Sequence, residues 1–171
     1  RLGLVVYAGE TFTQCPLTTD HAVLLNLFKD INHGIIEDGT AIGLGLANAV
    51  NRLKESDAKS RVVILLTDGE NNKGAIPPLT AADIAKEFDV RVYTIGVGKN
   101  GTAKMPVGKD PFGRIVYDQV PVKIDEKILS EIADKTGGKY FRATDNESLT
   151  SIYVEIDQLE KTITQQTEYE E

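Results

Sequence analysis

Residues 61–72 read RVVILLTDGENN, and the two halves of the stretch have opposite chemistry. Residues 62–66 are an unbroken apolar run rich in β-branched side chains, too short for a helix and without polar alternation. Such a run predicts a strand buried on both faces, as in a parallel sheet. It stops at Thr67-Asp68-Gly69-Glu70-Asn71-Asn72, a cluster of hydroxyl, carboxylate and amide groups. Open α/β sheets bind their ligands beyond the carboxyl ends of the strands. Asp68 therefore stands where such a fold does its work.

The flanking sequence extends the pattern. Residues 2–8 predict a second buried strand, Gly9-Glu10 its turn, and residues 11–15 a short antiparallel edge strand limited by Pro16. Thr19 or Asp20 caps a helix whose apolar stripe is Leu24, Leu27, Phe28 and Ile31, ended by His33-Gly34. Glu37-Asp38-Gly39-Thr40 is a polar turn into a second helix with Ile42, Leu46, Ala49, Val50 and Leu53 on one face. Gly43 and Gly45 each cost that helix about 1 kcal/mol of propensity, so their presence predicts a close backbone approach. After residues 61–72 come a Pro-containing loop and a helix capped at Thr80 with Asp83. A buried strand over 90–96 follows, then an inserted β-hairpin at about 101–122 turning at Lys109-Asp110-Pro111-Phe112-Gly113. Asp125 caps a further helix closed by Gly137-Gly138, residues 139–143 form a last strand, and Thr144 with Glu147 caps the final helix. Alternating strands and helices give an α/β fold, a doubly wound, mostly parallel sheet sandwiched by helices. The domain is assigned to 1–163 and a polar tail or linker to 164–171.

A chain of 171 residues is one domain by size. With 19 basic and 26 acidic residues its net charge is −7, which argues against a nucleic-acid or anionic-membrane partner, since those surfaces repel acidic proteins. Cys15 is the single cysteine, so neither an intrachain disulfide nor a cysteine metal site is available. The residues shown contain no signal peptide or membrane-spanning run. A chain opening on RLGLVVY, already inside a strand, reads as one that begins part-way through its domain.

Asp68 and Thr40 are the candidate site residues, since the fold sets both junctions on one edge of the sheet. A carboxylate, a hydroxyl and water are the hard oxygen ligands that Mg²⁺ prefers. The same two residues equally suit a turn and a helix cap. Gly96–Gly101 fits G-x-G-x-x-G, but the dinucleotide fingerprint needs a helix next, and here an extended arm follows. His21 and His33 lie at helix ends, and there is no nucleophile elbow, zinc-protease or P-loop motif. Glu37 or Asp38 with Glu70 could act as an acid pair, but they read equally as plain solvated turn carboxylates.

Three segments together resemble the von Willebrand factor type A family: RLGLVVYAGETFTQCPLTTD, EDGTAIGLGLANAV, and VVILLTDGENN followed by VRVYTIGVG. Within it, the run from DPFGRIVYDQV to YVEIDQLEK is most similar to the bacterial Bat (Bacteroides aerotolerance) proteins, BatA-like in particular. The resemblance implies a metal-ion-dependent adhesion site. There a first-loop D-x-S-x-S, a second-loop Thr and a third-loop Asp hold one divalent cation, Mg²⁺ or else Mn²⁺ or Ca²⁺, and an acidic residue of a protein partner completes the shell. Thr40 in DGTAIG matches the second-loop position and Asp68 in TDG the third. The D-x-S-x-S loop and its central strand do not occur in this chain; the family places them upstream of what is here Arg1. That leaves two of five side-chain ligands and a gap in the sheet between residues 2–8 and 62–66. Cation binding is accordingly expected only when the upstream loop is present.

The implied function is a non-enzymatic protein-interaction module in a membrane-associated Bat-type complex. The expected setting is the bacterial inner membrane with the domain periplasmic, anchored by segments outside this chain. Two other classes stay open: a metal-dependent phosphoryl or nucleotide enzyme using Asp68, and an assembly domain with a degenerate metal site that works through the hairpin near Phe112 and Tyr117.

Overall fold

The computed structural model describes residues 1–32, 36–98 and 101–170. In chain order the elements are β1 (Leu2–Tyr7), β2 (Thr11–Thr18), α1 (His21–Lys29), α2 (Ile42–Leu53), β3 (Arg61–Thr67), α3 (Pro78–Glu87), β4 (Val90–Val97), β5 (Gly101–Lys109), β6 (Ile115–Val122), α4 (Glu126–Thr136), β7 (Tyr140–Ala143) and α5 (Asn146–Glu170). The expected end of α1 at His33-Gly34 lies outside the described residues.

The core is the parallel sheet β3-β4-β7. Register pairs Thr67 with Gly96 and Val97 with Ala143, so the carboxyl ends of all three strands finish on one edge. Alternate side chains of a strand face opposite sides of the sheet. One face sends Val63, Leu65, Val90 and Val92 against Ile42, Leu46 and Val50 of α2, the alanines of α3, and Leu129 and Ile132 of α4. The other sends Tyr93, Ile95, Phe141 and Ala143 against Ile152 and Ile156 of α5. Burying an aliphatic side chain of this size stabilises by about 1.5–3 kcal/mol.

The expectation for residues 62–66 needs correction on one face. Val63 and Leu65 are buried, whereas Val62, Ile64 and Leu66 are half-buried, because α5 centres its apolar stripe on β4 and β7. The stripe of α1 departs further. Asp20 caps this helix as expected, accepting from the Ala22 and Val23 amides, yet none of its residues is buried and Phe28 is 57% exposed.

The antiparallel pair β1-β2 forms a separate sheet with no ladder to β3. α2 packs on β1, β2 and β3 and joins the two sheets. Gly43 and Gly45 explain how it comes so close. A Cβ on Gly43 would collide with the Ile76 carbonyl, and one on Gly45 would sit 2.7 Å from the Tyr7 ring.

Several helix ends differ from the sequence expectation. α3 begins at Pro78, two residues before Thr80, since a proline suits the first helical turn. The final helix is capped by Asp145, whose carboxylate accepts the Ser148 amide, in place of Thr144. It runs on to Glu170, past the point where a polar tail is expected. Asp125 and Gly137 cap α4 as the sequence indicates.

Candidate metal-adhesion edge

The site is assembled from three loops at the carboxyl edge of the sheet. The first follows β3. Thr67 is buried, and its hydroxyl accepts the Gly69 amide and donates to the Gly69 carbonyl, both at 3.3 Å. This tight turn leaves Asp68, the residue it encloses, exposed.

The second loop leads into α2. Thr40 precedes the helix, and α2 has no side-chain cap of its own. Its free amides are met instead from the first loop: the Thr40 amide donates to Asn72 Oδ1 and the Ile42 amide to Asn71 Oδ1, each at 2.8 Å. The Thr40 carbonyl in return accepts the Asn72 amide at 3.0 Å and the Lys73 amide at 3.3 Å. Two asparagines thus cap a helix that starts about 30 residues earlier and latch the loops together. The latch brings the Thr40 hydroxyl to 3.5 Å from where a Cβ on Gly69 would stand.

The third loop is the turn after β1. Gly9 donates its amide to the Glu37 carbonyl and Ala41 donates to the Ala8 carbonyl, both at 2.7 Å. An ion pair of Lys73 with Glu37 at 2.7 Å spans the rim. The Lys73 hydrogen bond and charge hold the Glu37 carboxyl below the usual carboxylate range.

Tyr7 closes the floor. Its hydroxyl donates to the Leu66 carbonyl at 2.6 Å across the opening between β1 and β3. Burial pushes the phenol up to about 12; the Thr67 hydroxyl works against this and the Asp68 charge adds to it.

Thr40 and Asp68 are therefore brought together as the sequence suggests. Among the described residues neither the Thr40 hydroxyl nor the Asp68 carboxylate has a hydrogen-bond or ion-pair partner, which leaves both oxygens for a ligand. The donors are hard and fit Mg²⁺ chemistry. No group of three or more His, Cys, Asp or Glu side chains able to hold a metal is gathered among the described residues. A cation at this edge would thus draw on Thr40 and Asp68 and take its remaining ligands from water and from groups beyond these two side chains.

Tyr7, Asn71 and Asn72 have structural roles at the site that sequence reasoning did not assign. The only signal was two adjacent amides directly after the strand-end carboxylate. The Gly96–Gly101 run leads into β5, so no helix N-terminus stands behind it to hold a phosphate.

Comparison with known proteins agrees with this architecture. The family model described as the von Willebrand factor type A domain matches residues 1–155. An uncharacterized protein of Borreliella burgdorferi is 31% identical over 148 residues, covering 86% of this chain and 43% of that protein. The chain spans about half the length of the curated relatives it matches. Among solved structures, BatB from Bacteroides thetaiotaomicron is 30% identical with a TM-score of 0.73, over 93% of this chain and 78% of that one. An aerotolerance-related membrane protein from Bacteroides fragilis is 28% identical with a TM-score of 0.71, over 91% and 76%. Proximal thread matrix protein 1 of the mussel byssus, described with a zinc-occupied MIDAS motif, is 25% identical with a TM-score of 0.66, over 92% and 34%.

Proposed function

The chain belongs to the von Willebrand factor type A family, and from that membership we propose that it is a protein-interaction module whose partner is gripped through a divalent cation at Thr40 and Asp68. The observation that carries the proposal is the latch of Asn71 and Asn72, which fixes the Thr40 backbone beside the Asp68 turn.

The chain's own groups would do three things. Asp68 supplies a carboxylate and Thr40 a hydroxyl to the cation, and the Asn latch holds their spacing. The cation would accept an acidic side chain of the partner. A further strand seated between β1 and β3 and carrying D-x-S-x-S would complete the shell, and the opening bridged by Tyr7 and Leu66 supports that placement. The likeness to an aerotolerance-related membrane protein and to BatB supports a membrane-associated, Bat-type setting; a complex at the bacterial inner membrane with the domain periplasmic is the setting proposed for it. No helix among the described residues is long and apolar enough to cross a membrane, so any anchor would come from segments outside them. The module is proposed to be non-enzymatic and not to bind nucleic acid.

Calorimetric titration with Mg²⁺, Mn²⁺ and Zn²⁺ tests this on two chains, residues 1–171 and a longer one that includes the upstream strand and loop. Binding by the longer chain that is abolished in Asp68→Ala and weakened in Thr40→Ala is expected. Absence of binding in both chains, or binding indifferent to Asp68→Ala, would overturn it.

A further inference from the structure

The hairpin of β5 and β6 pairs only with itself, forming its own two-stranded sheet. It leaves the body at the end of β4 and returns at the start of α4, the same sheet edge that carries Asp68. Among the described residues it makes no substantial contact with any other helix or strand. A lone two-stranded hairpin is marginal in water, and among its described side chains this one exposes four large apolar ones. Phe112 is 85% exposed, Tyr117 59%, Ile115 53% and Val116 43%.

The tip is built to present Phe112. Asp110 Oδ1 accepts the Phe112 amide at 2.8 Å and the Arg114 amide at 2.9 Å. The Asp110 amide donates to the Arg114 carbonyl, and the Gly113 amide to the Asp110 carbonyl, both at 2.9 Å. Gly113, at φ 78°, takes the left-handed conformation the turn requires. The carboxylate at the tip is thus engaged by backbone amides, and the backbone that carries the exposed aromatic ring has little conformational entropy left to lose on binding.

Two observations select the occupant. Ile115 and Tyr117 lie on one face of the ribbon and Val116 on the other, so apolar side chains are exposed on both. A single protein surface covers one face of a ribbon, whereas a bilayer interface surrounds a tip from all sides. Second, the hairpin itself, residues 101–122, carries three basic and two acidic side chains, in a chain with 19 basic and 26 acidic residues. The hairpin is the basic projection of an acidic protein, complementary to anionic headgroups.

We propose that the hairpin tip inserts into the headgroup region of an anionic lipid bilayer. At about 3.3 Å per residue, Ile115 and Val116 stand roughly 10 Å above Phe112, and apolar groups of interfacial elements reach about 5–10 Å into the boundary. Phe112 then enters the acyl boundary and Arg114 meets lipid phosphates. Tyr117 sits at the headgroup level, where tyrosines concentrate. The overall negative charge orients the body away from the same surface.

The chain contains no Trp, so Phe112→Trp places a single fluorescent reporter at the tip. Vesicles of phosphatidylglycerol with phosphatidylcholine, and of phosphatidylcholine alone, are the probes, in chelator so that the cation site plays no part. A blue shift and co-sedimentation with the anionic vesicles are expected. Arg114→Glu should lower partitioning about tenfold or more, and Phe112→Ser and Tyr117→Ser should release the otherwise unaltered chain with its far-ultraviolet dichroism unchanged. An unshifted emission without sedimentation, or vesicle binding undiminished by Phe112→Ser, overturns the proposal. So does concentration-dependent self-association without lipid that Phe112→Ser abolishes, which would assign the tip to a second copy of the chain.

Discussion

The Tyr7 hydroxyl donates a 2.6 Å hydrogen bond to the Leu66 carbonyl, joining the end of β1 to β3 across an opening with no ladder between the two strands. Fifty-nine positions separate the two residues. Removing the hydroxyl leaves a strand carbonyl without that partner, and Tyr7→Phe is expected to cost about 1 kcal/mol in chemical denaturation.

The Tyr7 phenol also sets an alkaline limit. It titrates at about 12 in the folded chain against about 10 unfolded. The stabilisation is complete below pH 10, is lost as pH rises from about 10 to 12, and amounts to roughly 2 kcal/mol. Ultraviolet phenolate titration of wild type and Tyr7→Phe should differ by one group ionising near pH 12. A Tyr7 that titrated near 10 would show its phenol to be less buried than the fold places it.

Asn71→Ala and Asn72→Ala test the latch. Each removes an acceptor from an amide at the start of α2, and lost caps of this kind cost about 0.5–2 kcal/mol. The pair share the loop, so the double variant should depart from additivity. If a longer chain carrying the expected upstream loop binds Mg²⁺ as proposed, both should also weaken that binding, whereas a purely structural cap would leave metal affinity unmoved.

Gly43→Ala separates propensity from packing. Alanine gains about 1 kcal/mol in an exposed helix, but here its Cβ would meet the Ile76 carbonyl. Overpacking of this kind costs about 1–3 kcal/mol, so a net loss in thermal denaturation is expected. A stabilised variant would show that α2 stands further from the loop over Gly74–Ile76 than described.

Acid sensitivity should trace to Glu160 on α5. Its carboxylate accepts Tyr93 at 2.7 Å and Ser60 at 2.8 Å and pairs with Arg91 at 2.6 Å. Burial would raise this carboxyl, but those three hydrogen bonds and the Arg91 charge outweigh it and hold it below its ordinary range. A lowered folded value gives stability that is full above about pH 4.3 and lost as pH falls below it. Glu160→Gln is expected to lose about 2 kcal/mol at neutral pH, and to flatten the acid limb of the stability profile.

The order of elements, their type and many of their caps were legible in local sequence. A continuous apolar run, a 3.6-residue stripe, or an Asp before a helix acts over a few residues, so 62–66, the α4 stripe and the Asp20 and Asp125 caps could be read directly. The proposed pair Thr40 and Asp68 comes from the edge rule of parallel sheets and the resemblance. Only the tertiary structure decided what holds that pair together. The amides of Thr40 and Ile42 find their acceptors about 30 positions on, and Tyr7 finds Leu66 across 59. No periodicity encodes such pairings, because they depend on which backbone groups the packed sheet and helix leave unsatisfied. The open face of α1 was hidden for the same reason: an apolar pattern shows which side chains would gain from cover, and the fold decides whether anything covers them.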